Sequence, residues 1–173
     1  MNEISERHPM DKDCDVLRVA DWVPPQRVLL GADVRDRAHA LELLANAVAR
    51  EHPVDSVAVV RALWRRELAG STGLGYGIAI PHARISGISS PLTVFMRTKV
   101  PLAFDAPDGQ AVSQFLAILV PQEGTRREHL QLLALIARLF SVEGFRRQLD
   151  ELSSAGEAVE AFRKGVAQVL EKA

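Results

Sequence analysis

Two hydrophobic periods alternate along the chain. Trp22 and Val23 precede Pro24-Pro25, and Val28-Leu29-Leu30 is a short apolar run ended by Gly31, which predicts a brief strand or buried connector. Asp36 can cap a helix that carries Leu41, Leu44, Ala45 and Val48 on one stripe. His52-Pro53 closes that helix, because a residue before proline avoids the helical region. Asp55 or Ser56 caps a second helix, whose inward face is predicted at Val57, Val60, Trp64 and Leu68, with Gly70 at its end. Its polar face carries Arg61, Arg65 and Arg66. Ile78-Ala79-Ile80 is a short strand candidate, and Leu92 to Val100 alternates as a strand does. Val112 to Val120 is nearly all apolar, the pattern of a strand covered on both faces. A long helix follows from Thr125 to Phe140 and a shorter helical stretch runs to about Leu152. Glu157 to Leu170 is a last helix, with Ala158, Ala161, Phe162, Val166 and Val169 inward. The alternation predicts an α/β fold, a single domain with helices on both faces of a central sheet.

Composition narrows the setting. A chain of 173 residues, 47% hydrophobic and 25% charged, has ordinary globular composition and is neither disordered nor fibrous. Its 21 Lys and Arg stand against 22 Asp and Glu, so no global basic field exists to condense on nucleic acid. The single cysteine, Cys14, cannot form an internal disulfide, which fits a reducing compartment. The longest strongly apolar run, Phe115 to Val120, is too short for a membrane-spanning helix. Residues 1–15 are polar, without the apolar core of a signal peptide, and read as a mobile tail ahead of a domain over 16–173. The expectation is a cytoplasmic protein that is not embedded in a membrane.

His82 is the most informative polar residue. It follows the strand candidate ending at Ile80, and Pro81 fixes its own φ and restricts Ile80. Strand ends in α/β sheets collect ligands and reacting groups, so His82 suits a nucleophile, a general base, a metal ligand or a hydrogen-bonded loop histidine. Thr125-Arg126-Arg127-Glu128 has the form of a capping box, and His129 then stands on the helix face shared with Leu132, Leu133, Ile136 and Phe140. That position fits a histidine at the edge of the core or a donor beside a helix N-terminus, where an anion is favoured. The glycine-rich Gly73-Leu74-Gly75-Tyr76-Gly77 matches neither the Walker loop nor the dinucleotide fingerprint. The histidines lack zinc-helix spacing and a cysteine partner, and there is no G-x-S-x-G elbow, so neither a metal site nor a serine hydrolase is expected.

Gly70-Ser71-Thr72-Gly73-Leu74-Gly75-Tyr76-Gly77-Ile78-Ala79-Ile80-Pro81-His82 resembles the signature of the fructose/mannitol-type enzyme IIA of the bacterial phosphotransferase system, and within that family its nitrogen-regulatory branch, enzyme IIA-Ntr. The likeness continues through Pro101 to Val112, Phe115 to Pro121 and His129 to Leu133, and covers about residues 16 to 170. The resemblance implies a mixed central sheet and a phosphohistidine carrier. His82 would accept a phosphoryl group from HPr or its nitrogen-branch form. His129 would support that group, Arg66 would neutralise it, and Ser71 and Thr72 would be hydroxyl contacts. It implies no cofactor. The acceptor side would be regulated partner proteins or, in a sugar-uptake role, a IIB domain; a binding module without turnover is the third reading. The sequence departs from the family pattern in having Ala83 where glycine usually follows the active histidine. If that position needed a positive φ, alanine would cost about 1 kcal/mol.

Overall fold

The computed structural model describes residues 23–172. The tail expected over residues 1–15, Cys14 and Trp22 lie outside the described residues. A 3-10 turn at Pro25–Arg27 leads into β1 (Val28–Ala32). Two helices follow, α1 (Arg37–Ala49) and α2 (Ser56–Leu68), then β2 (Gly73–Gly75), β3 (Ile78–Ala79), β4 (His82–Ile85), β5 (Leu92–Leu102) and β6 (Val112–Pro121). The chain closes with α3 (Arg126–Ser141), α4 (Glu143–Asp150) and α5 (Ala155–Glu171). Side-chain caps start α1, α2 and α5: Asp36 accepts from His39 N–H, Asp55 from Val57 N–H, and Ser154 from Glu157 N–H. Thr125 and Glu128 form the full capping box at the head of α3, which satisfies donors that a helix start leaves open.

The sheet is mixed, in the order β1-β5-β6-β3-β2, with β4 also paired to β6. β5 and β6 are antiparallel, β1 is parallel to β5, and β3 and β4 are both parallel to β6. The alternation of β6 serves two cores, since successive side chains of a strand point to opposite faces. Leu116, Ile118 and Val120 join the cluster with α3, α4 and α5, where Phe95, Phe140, Phe145 and Phe162 meet edge to face. Phe115, Ala117 and Leu119 join α1 and α2 around Phe104 and Met96. The result is a single α/β domain with helices on both faces of its sheet.

Two local readings change. The buried stripe of α2 is Val59, Leu63 and Glu67, while Val57 is 55% exposed and Leu68 69%. Val60 and Trp64 are half-buried at its flank. Both stripes have helical spacing, and a carboxylate on one of them disguised the inward face as polar. The second change concerns the strand before His82. β3 stops at Ala79, and His82 opens a new strand in place of ending the old one. Pro81 has no N–H for a ladder, but its carbonyl accepts from Ile118 N–H, so β3 and β4 run along the same edge of β6 with a break at Ile80-Pro81. The glycine-rich segment is itself a small hairpin of β2 and β3, turned by the left-handed residues Gly75, Tyr76 and Gly77.

Candidate active site

Arg66 lies in the last turn of α2, His82 at the head of β4 and His129 in the first turn of α3. The three come from the two helical layers and the sheet between them. On β4, Ala83 and Ile85 pack into the α1–α2 core. The alternation therefore turns His82 and Arg84 toward α3. The His82 and His129 rings stand 5.4 Å apart at 44°. Arg66 reaches the same point from the other side, with Nε donating to His82 Nε2 at 3.1 Å and Nη1 donating to Gly70 O at 2.8 Å.

These contacts define the state of His82. Its Nδ1 lies 2.8 Å from Ile80 O, an acceptor, so Nδ1 carries the proton and donates it. Nε2 then bears the lone pair, in agreement with the N–H that Arg66 aims at it. His82 is buried, and its pKa is lowered from the usual 6.5, first by that burial and then by the Arg66 charge, against an upward pull from the Ile80 carbonyl. His129 is lowered from 6.5 as well, by burial first and then by His82, Arg84 and Arg66. Both rings are thus favoured neutral, which keeps a nucleophilic nitrogen available at Nε2. His129 Nδ1 is buried without a hydrogen-bond partner. Arg84 donates to Gly124 O in the loop before α3 and holds the start of that helix against β4.

Ser71 and Thr72 follow Gly70, whose carbonyl Arg66 holds, and both hydroxyls are engaged by other segments of the fold. Ser71 Oγ donates to Phe104 O at 2.7 Å and accepts from Gly73 N–H. Thr72 Oγ1 donates to Glu67 Oε2 at 2.5 Å. Glu67 was not singled out in the sequence; its signal was its i+4 and i+8 spacing from Leu63 and Val59 on the buried stripe. Ala83 lies on extended backbone, since the non-glycine residues with positive φ are Tyr76 and Asp105. The feared backbone cost of alanine after His82 therefore does not arise. Among the described residues, no group of three or more His, Cys, Asp and Glu side chains could hold a metal ion, and no helix is long and apolar enough to cross a membrane.

An imidazole at the head of a strand paired to β6, with a guanidinium bonded to it and a second imidazole 5.4 Å away, makes this an α/β protein with a paired-histidine site. The chain belongs to the EIIA 2 family of the phosphoenolpyruvate-dependent sugar phosphotransferase system, whose model matches residues 22–165. A nitrogen regulatory protein of Pseudomonas aeruginosa is 40% identical over 144 residues, which are 83% of this chain and 91% of that protein. The fructose-specific EIIA component of Haloferax volcanii is 33% identical over 141 residues, 81% of this chain and 91% of that one. Among solved structures, nitrogen regulatory protein IIA-Ntr of Neisseria meningitidis superposes with a TM-score of 0.78 at 36% identity, covering 83% of this chain and 98% of its own.

Proposed function

We propose that this protein is a cytoplasmic phosphohistidine carrier of the nitrogen-related phosphotransferase chain, which takes a phosphoryl group from an HPr-type donor onto His82 Nε2 and regulates partner proteins by its phosphorylation state. The observation that carries the reading is the paired bonding of one ring: Nδ1–H tied to Ile80 O, and Nε2 bare and faced by Arg66. In the reaction the donor's N–P bond breaks as the Nε2–P bond forms. The donor imidazole keeps the electron pair of the broken bond. No proton need leave His82, because Ile80 O supports the Nδ1–H as the ring gains positive charge. Arg66 turns from Nε2 to the equatorial phosphoryl oxygens, where negative charge is spread in the transition state, and an N–H of His129 meets them from the α3 side. Ser71 and Thr72, with their hydroxyls committed to Phe104 and Glu67, shape the loop and leave the phosphoryl group to these three side chains.

The fructose-specific relative favours a second reading, in which the same site hands its phosphoryl group to a IIB domain during sugar uptake. The chemistry at His82 is identical in both; what differs is the acceptor. Intact-mass spectrometry after incubation with phosphoenolpyruvate, enzyme I and an HPr-type carrier tests the common part, with His82→Ala alongside. An acid-labile phosphoryl adduct on the wild type and none on the variant is expected. No adduct on the wild type, or an adduct retained by His82→Ala, defeats the proposal. Transfer onward to a purified IIB domain would favour the uptake role, and a long-lived adduct in its presence the regulatory one.

A further inference from the structure

Glu67 is 3% exposed, which makes it the most buried charged side chain among the described residues. An acidic group so placed is costly unless its oxygens are met by donors. Both are met by a single residue: Thr72 N–H donates to Oε1 at 2.8 Å and Thr72 Oγ1–H to Oε2 at 2.5 Å. Because a carboxylate can only accept, it compels the Thr72 hydroxyl to donate and so fixes its direction. The connection continues inward. Thr72 O accepts from Ile80 N–H at 2.9 Å, and Ile80 O accepts from His82 Nδ1 at 2.8 Å. Ile80 lies at the break between β3 and β4, just before the proline that cannot join the ladder, so the pairing with β6 does not by itself hold its carbonyl.

We propose that Glu67 is a positioning residue for His82: through Thr72 and Ile80 it holds the carbonyl that keeps the proton on Nδ1 and the lone pair on Nε2. This rests on the phosphocarrier reading for its consequence, but the geometry it describes is that of the unphosphorylated protein. Arg66 and Glu67 are consecutive in α2 and act on opposite nitrogens of one ring, Arg66 directly and Glu67 through two intervening residues. A shift of α2 relative to β4 would therefore disturb both.

The test compares wild type, Glu67→Ala and Glu67→Gln, each labelled with 15N-histidine, by two-bond 1H–15N correlation spectra and by the rate of phosphoryl acceptance from an HPr-type donor. The wild type is expected to show His82 protonated at Nδ1 and bare at Nε2. In Glu67→Ala a mixture of tautomers is expected, with a rate reduced by about 10-fold to 100-fold, the scale of a misplaced reacting group. Glu67→Gln, which can still accept from Thr72 N–H, should recover the wild-type tautomer and most of the rate. A wild-type spectrum and rate in Glu67→Ala would overturn the proposal, as would an Nε2-protonated His82 in the wild type. Should Glu67→Ala fail to fold, Thr72→Val takes its place: a shifted tautomer ratio supports the connection and an unchanged ratio and rate refute it. The spectra need no donor protein. A wild type that accepts no phosphoryl group would thus defeat the carrier reading while leaving the role of Glu67 to be judged on the tautomer alone.

Discussion

Replacing Arg66 by alanine removes the donor that faces His82 Nε2 at 3.1 Å, together with a positive charge that depresses the pKa of the same ring. The substitution should lower the rate and raise the pKa of the ring, two effects that can be read separately, which makes the variant diagnostic. A guanidinium about 4 Å from a unit negative charge contributes about 4 kcal/mol at an effective dielectric near 20. Arg66 is half-buried, and solvent screening reduces this to roughly 2 kcal/mol at the lower end. Spread over the transition state, 2 to 4 kcal/mol corresponds to a rate lower by about 30-fold to about 1,000-fold. Losing the charge also lets the His82 pKa rise toward its ordinary value, since one of the two influences lowering it is gone. At pH 7.5 the ring stays mainly neutral in either case, so protonation cannot account for a fall in rate. Rapid-quench measurement of adduct formation, paired with an NMR titration of the His82 ring, reads both effects. Arg66→Lys should fall between, keeping a charge but losing the Nε donor and the tether to Gly70 O. A wild-type rate in Arg66→Ala, or a His82 pKa that falls further in that variant, would refute the reasoning.

Acid should weaken the fold through the same histidines. His82 and His129 both have pKa values below 6.5 in the folded chain, so below pH 6.5 the unfolded state takes up protons first. Stability is therefore fully present above that pH and falls as pH drops toward the folded values. Denaturant melts between pH 7.5 and 5.5 should show a smaller loss in His82→Ala; an equal loss would remove His82 from the linkage. Ala83→Gly should not speed transfer, because the backbone there is extended and the methyl group is buried in the α1–α2 core. We expect a stability loss of about 0.5–1 kcal/mol and little change in rate. A several-fold faster Ala83→Gly, measured in the same quench assay, would show that alanine had strained the site after all.

Much of the frame was legible because strong patterns coincided with local signals. The continuous apolar run of β6 announced a strand buried on both faces, and the Thr125–Glu128 capping box fixed the start of α3 and with it the phase of His129. The phase of α2 was not legible. Its apolar residues offer two stripes of similar spacing, and the stripe that is buried ends in Glu67, which a hydrophobicity pattern counts as exposed. The break at Ile80-Pro81 escaped for a related reason: proline marks an interruption but does not say that the next residues rejoin the same neighbour strand. For the site, residue types and the family resemblance pointed to Arg66, His82 and His129. Their meeting depends on strand pairing and on which face of β4 each residue occupies, and neither is a local property of the chain. The resemblance implied Ser71 and Thr72 as hydroxyl contacts, but their acceptors in the fold, Phe104 O and Glu67, lie in other segments and could not be read from the motif.

His82 stands on the sheet, Arg66 hangs from the helical layer on one side of it and His129 from the layer on the other. A tripod with a leg in every layer cannot be cut out as a fragment. Splitting the chain between β4 and α3 would leave His82 and Arg66 on one piece and His129 on the other. A circular permutant that keeps both layers closed has no such penalty. Ring chemistry at His82 can thus serve as a gauge of whether the whole domain has assembled.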